Sequence, residues 1–319
     1  MKVVILSLTL ALTSLRVGAG GMVCVGSASG VASYDDDGTL LYRNGDYRKP
    51  LSFVLDFERN QLWFIDGYDY RLICLDSATG KEKISVAKAV SPPEIGSSDL
   101  KTYTLEKRPV EPSLSLDAGD GGVWVADFYG HKIAKYDAEG REVFRAGGFH
   151  EPFAVAALGD GKAWVASGIA AIALVNAGGA RELTQPGVNE PRGLAYDPGA
   201  DLVWVADYRN SRVLGVDRAG RLKKRITGIE MPTRLAFDGR RGTLWVATTY
   251  AGIARVDAAR ERVLGWVVAD DNPAAIDLDR EGNLWVAYPD EGMIRRITPE
   301  GEVSEFISRV TAASAVAAE

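Results

Sequence analysis

Short apolar segments alternate with polar turns along almost the whole chain. Five of these segments share one core, an apolar residue followed by Trp, Val and Ala, at residues 123–126, 163–166, 203–206, 244–247 and 284–287. Apolar residues are nowhere spaced at a sustained helical period, which argues against a helical array. The pattern therefore predicts an all-β chain of short strands.

The spacing of the segments predicts the architecture. The tryptophans of the five copies recur every 40 or 41 residues, and two weaker copies surround Trp63 and Cys24. A period near 40 is typical of a β-propeller. Each period carries four extended runs separated by turns, as at residues 190–197, 202–206, 212–217 and 222–226. The expected fold is an all-β, seven-bladed β-propeller of four-stranded blades.

The two ends of the chain suggest how the ring closes. Residues 1–19 resemble a signal peptide, with Lys2, an apolar run at 3–15 and small residues before the expected cleavage site. A propeller of residues 20–319 would then begin at the second strand of its first repeat, whereas residues 312–318 read like a spare inner strand. We therefore expect a C-terminal strand to complete blade one, which removes the exposed edges of an open array. The protein is expected to be exported to the periplasm or secreted, with no transmembrane segment after signal removal.

One repeat is longer than the others. The interval from Trp63 to Trp124 exceeds a single period, which indicates an insertion at about residues 85–109 between blades two and three. Long loops in a short-loop fold are commonly functional or disordered. If ordered, this insertion is expected to fold over the channel mouth.

The copy around Trp204 resembles the repeat of a known family. The runs Pro191-Arg192-Gly193-Leu194-Ala195-Tyr196-Asp197 and Leu202-Val203-Trp204-Val205-Ala206-Asp207-Tyr208 closely resemble the NHL repeat, and the resemblance extends over residues 21–319. It implies a propeller. It leaves function open, because NHL propellers include RNA-binding and protein-binding modules and relatives with lyase or lactonase activity.

Charge and composition exclude some classes of partner and site. The formal net charge is −6, so nucleic acid is not an expected partner. Two cysteines exclude a disulfide framework and a four-thiolate zinc site, and two histidines leave little room for chemistry built on histidine clusters. Whether Cys24 and Cys74 pair is left open by their spacing, and a monomer is expected.

Candidate binding residues lie in loops expected to surround the channel mouth. Aromatic rings with an arginine form a plausible recognition surface for a protein or a small molecule. The predicted binding set is Tyr68, Tyr129, Tyr208, Arg209, Tyr250, Tyr288 and His150. His131, in the neighbouring loop, is the one other histidine, and the recurring aspartates Asp66, Asp127 and Asp207 are expected to cap their loops.

A second set of loops could hold a cation. Oxygen-bearing side chains precede the prolines that open inner strands, so symmetry places them in a ring at the mouth. Such ligands suit calcium, although no cofactor is required by the sequence. The predicted metal set is Glu111, Glu151, Glu190 and Asn272.

Three functions remain in competition. The first is a non-catalytic scaffold that binds a protein or small ligand through its loop face. The alternative is a lactonase- or lyase-like enzyme that uses a calcium ion held by carboxylates at the channel mouth. The third is binding of an anionic partner through the basic blade-five region, residues 207–241.

Overall fold

A computed structural model describes most of the chain and confirms the predicted propeller. The described residues are 12–17, 22–27, 30–35, 37–92, 112–168, 170–267, 273, 275–288 and 293–307. They form seven antiparallel sheets of four strands each, and the strands of every sheet lie in chain order from the innermost to the outermost. Each sheet is one blade.

The strands of the first four blades follow one another without crossovers. Blade one contains β1 (Leu12–Val17), β2 (Val23–Ser27), β3 (Gly30–Tyr34) and β4 (Leu40–Asn44). Blade two contains β5 (Pro50–Asp56), β6 (Gln61–Asp66), β7 (Arg71–Asp76) and β8 (Glu82–Val86). Blade three contains β9 (Ser113–Asp117), β10 (Gly122–Asp127), β11 (Lys132–Tyr136) and β12 (Glu142–Gly147). Blade four contains β13 (Pro152–Ala157), β14 (Ala163–Ser167), β15 (Ala171–Val175) and β16 (Arg181–Pro186).

The last three blades repeat this plan. Blade five contains β17 (Pro191–Asp197), β18 (Leu202–Asp207), β19 (Arg212–Asp217) and β20 (Leu222–Thr227), with a short 3-10 turn at Tyr208–Asn210. Blade six contains β21 (Pro232–Asp238), β22 (Thr243–Thr248), β23 (Ile253–Asp257) and β24 (Arg262–Val267). Blade seven contains β25 (Ala275–Leu278), β26 (Leu284–Tyr288), β27 (Met293–Ile297) and β28 (Val303–Ile307).

Burial explains why the second strand of each repeat is so recognisable in the sequence. Every residue of β6, β10 and β18 is buried, because both faces of the second strand pack against neighbouring blades. Such strands read as continuous apolar runs. The outer strands β4 and β8 instead alternate between exposed and half-buried positions.

The repeated tryptophans pack between blades, as the sequence predicts. Trp63 shares a core cluster with Val123 and Val125 of blade three, and the other repeat tryptophans make the equivalent contact with the next blade. Trp285 of blade seven packs against Val23 of blade one, which completes the ring of hydrophobic interfaces. All six of these side chains are at most 1% exposed.

Serine side chains link neighbouring inner strands around the channel. The Ser52 hydroxyl of blade two accepts a hydrogen bond from the Leu114 N–H of blade three at 2.9 Å. The Ser115 hydroxyl accepts one from the Ala157 N–H of blade four at 3.0 Å. Backbone donors on the channel side are thereby satisfied by the preceding blade.

The closure of blade one differs from the prediction. Its inner strand is β1 (Leu12–Val17), which pairs antiparallel with β2, and not a C-terminal strand. The folded ring therefore begins inside residues 1–19, because the apolar run of the predicted signal peptide also has the character of an inner strand. Residues 308–319, on which the predicted closure depended, lie outside the described residues, and cleavage of residues 1–19 stays a prediction.

Two further sequence predictions concern the cysteines and the insertion. Cys24 and Cys74 are both free and buried, so they do not pair. Most of the predicted insertion lies outside the described residues, which resume at Pro112 after a gap at 93–111. No helix in the described part of the chain is long and apolar enough to cross a membrane.

Candidate functional site

Two sets of loops meet at one end of the propeller, as expected from the repeat. The loops between second and third strands donate backbone hydrogen bonds to the loops that enter each inner strand. These bonds are Gly67 N–H to Lys49 O at 2.8 Å, Arg209 N–H to Asn189 O at 3.1 Å and Thr249 N–H to Met231 O at 3.2 Å. The two loop sets therefore form a continuous loop face around the channel mouth.

Several residues of this face have an unusual backbone. Glu151, Glu190 and Met231 each precede the proline that opens an inner strand, and their φ angles are 42°, 54° and 45°. A left-handed conformation is uncommon for such side chains. Strained residues of this kind cluster at ligand sites when the surroundings hold them in place.

The only two histidines of the chain lie together on this face. His131 ends the loop between β10 and β11, and His150 lies in the loop between β12 and β13. Their ring centroids are 5.1 Å apart, with the ring planes inclined by 35°. The sequence places the two residues in neighbouring loops, but the predicted binding set contains only His150, because two surface histidines are more often incidental than functional.

Glu151 connects the two imidazoles. Its backbone N–H donates a hydrogen bond to Nδ1 of His131 at 3.0 Å, and its carboxylate Oε2 lies 3.9 Å from Nδ1 of His150. Because Nδ1 of His131 accepts a hydrogen bond, the proton of the neutral ring is on Nε2. The side chain of His150 is 71% exposed and that of Glu151 is 24% exposed, so both face the opening.

Aromatic side chains lie beside this cluster. Phe128 is buried, and its ring contacts Tyr129 at 5.1 Å and Phe153 at 4.9 Å between centroids. Phe153 also lines the central channel, a cavity of about 380 Å³ bounded by the inner strands. The histidines, Glu151, Tyr129 and Phe153 together define what we call the histidine corner.

The equivalent position in the next blade is an ion-pair corner. Glu190 accepts hydrogen bonds from Nε of Arg192 at 2.8 Å and from Nε of Arg209 at 2.6 Å. The Arg192 guanidinium lies 3.6 Å from the centroid of the Tyr208 ring. Both carboxylate oxygens of Glu190 are thus engaged by arginine.

The remaining predicted binding residues separate into two groups. Tyr68 and Tyr250 are 60% and 77% exposed, and Arg48 lies over the Tyr68 ring at 5.2 Å. Tyr208 and Tyr288, in contrast, are buried in the blades. Contrary to the prediction, their rings do not reach the surface. Both tyrosines lie at the end of a second strand, where the burial of that strand continues. The sequence pattern alone does not show how far this burial extends.

The predicted cation ring is only partly within the described structure. Glu111 and Asn272 lie outside the described residues, while Glu151 and Glu190 occupy the corners just described. Within the described ranges, no group of three or more His, Cys, Asp or Glu side chains could hold a metal ion. Calcium binding therefore stays a prediction.

The recurring aspartates cap their loops, as expected. Asp66 accepts the Tyr68 N–H at 3.2 Å, and Asp207 accepts the Asn189 N–H at 2.6 Å. Asp127 accepts hydrogen bonds from the Gly130 N–H at 3.1 Å and from the Ser91 hydroxyl at 2.8 Å. Asp127 thus fixes the turn that leads into His131.

The basic blade-five region is largely neutralised by neighbouring carboxylates. Its ion pairs are Arg209–Glu190, Arg212–Asp207, Arg218–Asp201, Arg221–Asp217, Lys224–Glu261 and Arg241–Asp238. Six of the ten Lys and Arg side chains at 207–241 are thus paired, which reduces the positive charge offered to an anionic partner. Binding of an anionic partner stays a prediction.

The fold and its repeats define the protein class as a seven-bladed β-propeller containing an NHL repeat. Residues 188–215 match the family model described as the NHL repeat. No curated protein is similar enough in sequence to count as a relative.

Solved structures with the same fold are known. Virginiamycin B lyase from Staphylococcus aureus has 13% sequence identity and a TM-score of 0.69, with 89% of this chain and 93% of that chain covered. A streptogramin B lyase has 15% identity and a TM-score of 0.69, again covering 89% and 93%. A catalytically inactive histidine-to-alanine variant of the S. aureus lyase with quinupristin has 14% identity and a TM-score of 0.69, covering 91% and 95%.

These similarities correct the first functional expectation. We expected a non-catalytic scaffold in preference to an enzyme, but all three of these similar structures are lyases. The preference for a scaffold is therefore wrong, and the enzyme alternative has the better support. At such low identity the similarity itself establishes the fold alone.

Proposed function

We propose that this protein is a lyase-type enzyme whose reacting groups are His131 and His150. The observation that carries the proposal is the convergence of the two imidazoles with Glu151 at the channel mouth, with ring centroids 5.1 Å apart. Imidazole is the commonest general acid or base in enzymes because it exchanges protons near neutral pH. The proposal also draws on the lyase activity of proteins with this fold.

The hydrogen bonds suggest different roles for the two rings. In neutral His131, Nδ1 is occupied by the Glu151 N–H, so Nε2–H is available as a hydrogen-bond donor. His150 is the more suitable base, because its side chain is 71% exposed and its Nδ1 lies 3.9 Å from the Glu151 carboxylate. The corner can thus offer one hydrogen-bond donor and one base at the same time.

An elimination uses this arrangement without water. His150 removes a proton from the carbon next to a carbonyl group, the electron pair forms a carbon–carbon double bond, and the carbon–oxygen bond to the leaving group breaks. The Nε2–H of His131 donates a hydrogen bond to the departing carboxylate oxygen, which leaves as the anion, and the abstracted proton remains on His150. The corresponding substrate class is an ester whose acyloxy group is β to a carbonyl, since this arrangement makes the proton acidic.

Mass spectrometry of the product separates lyase from lactonase. Elimination that opens a cyclic ester leaves the mass unchanged, whereas hydrolysis adds one water. Quinupristin, which is bound in one of the similar structures, and simple β-acyloxy carbonyl esters are the compounds to test. We expect ring opening of a cyclic substrate without a gain in mass, and a product carrying one added water would favour the lactonase instead.

Three variants test the residues. His150→Gln removes the base and His131→Asn removes the Nε2–H donor, and asparagine retains an oxygen to accept the Glu151 N–H. Loss of a general acid or base lowers kcat by about 10²- to 10⁴-fold. Lys132→Gln, an exposed change beside His131, is the matched control and should retain full activity. Wild-type rates in both histidine variants would contradict the proposal.

Export and cation binding are part of the same proposal. We expect the protein to act outside the cytoplasm, because residues 1–19 have the features of a signal peptide. The N-terminal mass of protein recovered from periplasmic and extracellular fractions tests this expectation. Repeating the activity assay with a chelator and then with added calcium tests whether the predicted cation contributes.

A further inference from the structure

Hydrogen bonds between inner strands differ on the two sides of the central channel. On the side of blades two to four, serine hydroxyls accept backbone N–H groups of the next blade. The three bonds join Ser52 to Leu114 at 2.9 Å, Ser113 to Val155 at 3.3 Å and Ser115 to Ala157 at 3.0 Å. These N–H groups face the channel, because alternate residues of an antiparallel strand direct their backbone groups away from the paired strand.

The repeat register shows where this bond is missing. Ser113 lies opposite the alanine, and Ser115 opposite the tryptophan, of the Trp-Val-Ala core in β10. The equivalent residues of blades four, five and six are Ala154 and Ala156, Gly193 and Ala195, and Arg234 and Ala236. Alanine, glycine and arginine side chains carry no hydrogen-bond acceptor. The N–H groups that correspond to those of Val155 and Ala157 therefore lack this bond in blades five to seven.

These N–H groups lie along one wall of the channel. They belong to Leu194, Tyr196, Leu235, Phe237, Ile276 and Leu278, all of which line the cavity of about 380 Å³. Backbone N–H groups in a folded interior are nearly always paired, with water or a ligand where the protein supplies no acceptor. We call this wall, formed by β17, β21 and β25, the donor wall.

Arg234 adds a positive charge to the donor wall. It is the one exposed residue of β21, and it lines the cavity. Gly193 is its equivalent in blade five, where a Cβ atom would come within 2.6 Å of the Thr233 carbonyl oxygen and 3.1 Å of the Arg234 Cα atom. The backbones approach too closely there for a side chain, so blade five cannot place one beside Arg234. A guanidinium in such a position suits a carboxylate, which it binds through two parallel N–H groups.

The donor wall has few acceptors of its own. Asp277 is the one carboxylate among the described residues that line the cavity. It lies opposite Trp285, the position that Ser115 takes in blade three. By the same register its acceptor serves the next blade, which is blade one. Donors therefore exceed acceptors on the wall of blades five to seven.

We propose that the donor wall and Arg234 form a binding site for a small organic carboxylate inside the channel. The Arg234 guanidinium pairs with the carboxylate, and the backbone N–H groups bind the remaining oxygens of the molecule. Of the basic residues at 207–241 this site uses only Arg234, and its occupant is a small molecule inside the ring. The inference does not depend on the proposed lyase reaction.

The charge is tested with succinate and its neutral analogue succinamide, which has a similar size. Isothermal titration calorimetry compares the wild type with Arg234→Gln and Arg262→Gln. Arg262→Gln is the matched control, because it removes the same charge from an exposed position on the outer strand of the same blade. We expect the wild type and the control to bind succinate and not succinamide, and Arg234→Gln to bind succinate at least about tenfold more weakly. Absence of succinate binding to the wild type, or unchanged affinity in Arg234→Gln, would overturn the proposal.

The backbone donors are tested by supplying the missing serines. Ala195→Ser combined with Ala236→Ser offers hydroxyl acceptors to the N–H groups of Phe237 and Leu278, as Ser115 does for Ala157. The two new hydrogen bonds should raise Tm, and the affinity for succinate should fall because two donors are no longer available. A lower Tm would show that these N–H groups do not face the position of the serine. That result, or a higher Tm with unchanged succinate affinity, would contradict the assigned donors.

Discussion

The indole N–H groups of the repeat tryptophans provide a test of how each blade is stabilised. Nε1 of Trp124 donates to the Asp117 carboxylate at 3.2 Å, and Nζ of Lys135 holds the same oxygen at 2.9 Å. Nε1 of Trp204 is buried and has no hydrogen-bond partner in the described part of the chain. The two tryptophans occupy the same repeat position, so they form a matched pair.

The cross-strand neighbour accounts for the difference. Lys135 lies opposite Trp124, whereas Gly215 lies opposite Trp204. Blade five therefore lacks a cation at this position to draw a carboxylate toward the indole. Asp197, which corresponds to Asp117, instead caps a turn by accepting the N–H groups of Gly199 and Ala200 at 3.0 Å.

We predict that Trp124→Phe destabilises the fold more than Trp204→Phe. Both changes remove similar apolar volume, so the cavity contributions largely cancel in the difference. Trp124→Phe also loses a hydrogen bond to a charged group, about 1.5–3 kcal/mol, whereas Trp204→Phe removes an unsatisfied buried donor that costs about 1–3 kcal/mol. The difference in unfolding free energy should therefore be at least about 2 kcal/mol.

Urea unfolding followed by circular dichroism is the appropriate measurement, because fluorescence would change with the tryptophans themselves. The dependence of the free energy on urea should be the same in both variants if the unfolded states are comparable. Trp285→Phe is an additional control, since its indole donates to Asp279 at 2.8 Å and should behave like Trp124. Equal destabilisation of Trp124→Phe and Trp204→Phe would refute the argument.

Two further predictions concern charged groups away from the loop face. Lys135→Met should destabilise the fold by about 3–5 kcal/mol in urea unfolding, because it leaves the fully buried Asp117 without its cation; the Asp117→Asn/Lys135→Met double variant should recover part of this loss. Burial opposes ionisation of Asp160 and Asp201, but hydrogen bonds from Arg218 more than offset it and lower the pKa of both carboxyls. The stability that the two ionised carboxyls give to the fold is therefore present above their unfolded pKa of about 4 and is lost as the pH falls below it. Arg218→Gln should thus flatten the decline in Tm on acidification in that range.

The fold could be predicted because the same physical requirement recurs in every repeat. A second strand between two blades must be apolar on both faces, and this selects the Trp-Val-Ala core wherever a blade occurs. Cys24 takes the tryptophan position in blade one and is buried there all the same. The repeat thus remains recognisable where a residue differs.

Ring closure could not be predicted in the same way. β1 overlaps the end of the apolar run at 3–15, and such a run is suitable both for a signal peptide and for an inner strand. Composition does not separate these uses, because both require apolar side chains and few charges. The structure shows Leu12–Val17 paired with β2, a contact that depends on the rest of the ring.

The candidate site was predicted only in part, for a different reason. Its loop face follows from the repeat, but its contacts do not. His131 reaches the Glu151 N–H because both residues have positive φ, at 53° and 42°. The conformation of Glu151 recurs at Glu190 and Met231, and that of His131 recurs at Tyr70 and Ser211, but the imidazole that accepts the hydrogen bond does not recur, so the repeat does not predict the contact.

The two corners show how a repeat can separate structural from chemical roles. Glu151 and Glu190 occupy one repeat position, but the loop and strand residues around them differ. Arginines hold Glu190 in an ion-pair network, whereas Phe153 takes the strand position of Arg192 at the first corner. The carboxylate of Glu151 faces His150 instead. A fixed ion pair stabilises a blade junction, while the carboxylate of Glu151 lies beside an exposed imidazole. The differences from the repeat, rather than the repeat itself, therefore locate the chemistry at the histidine corner.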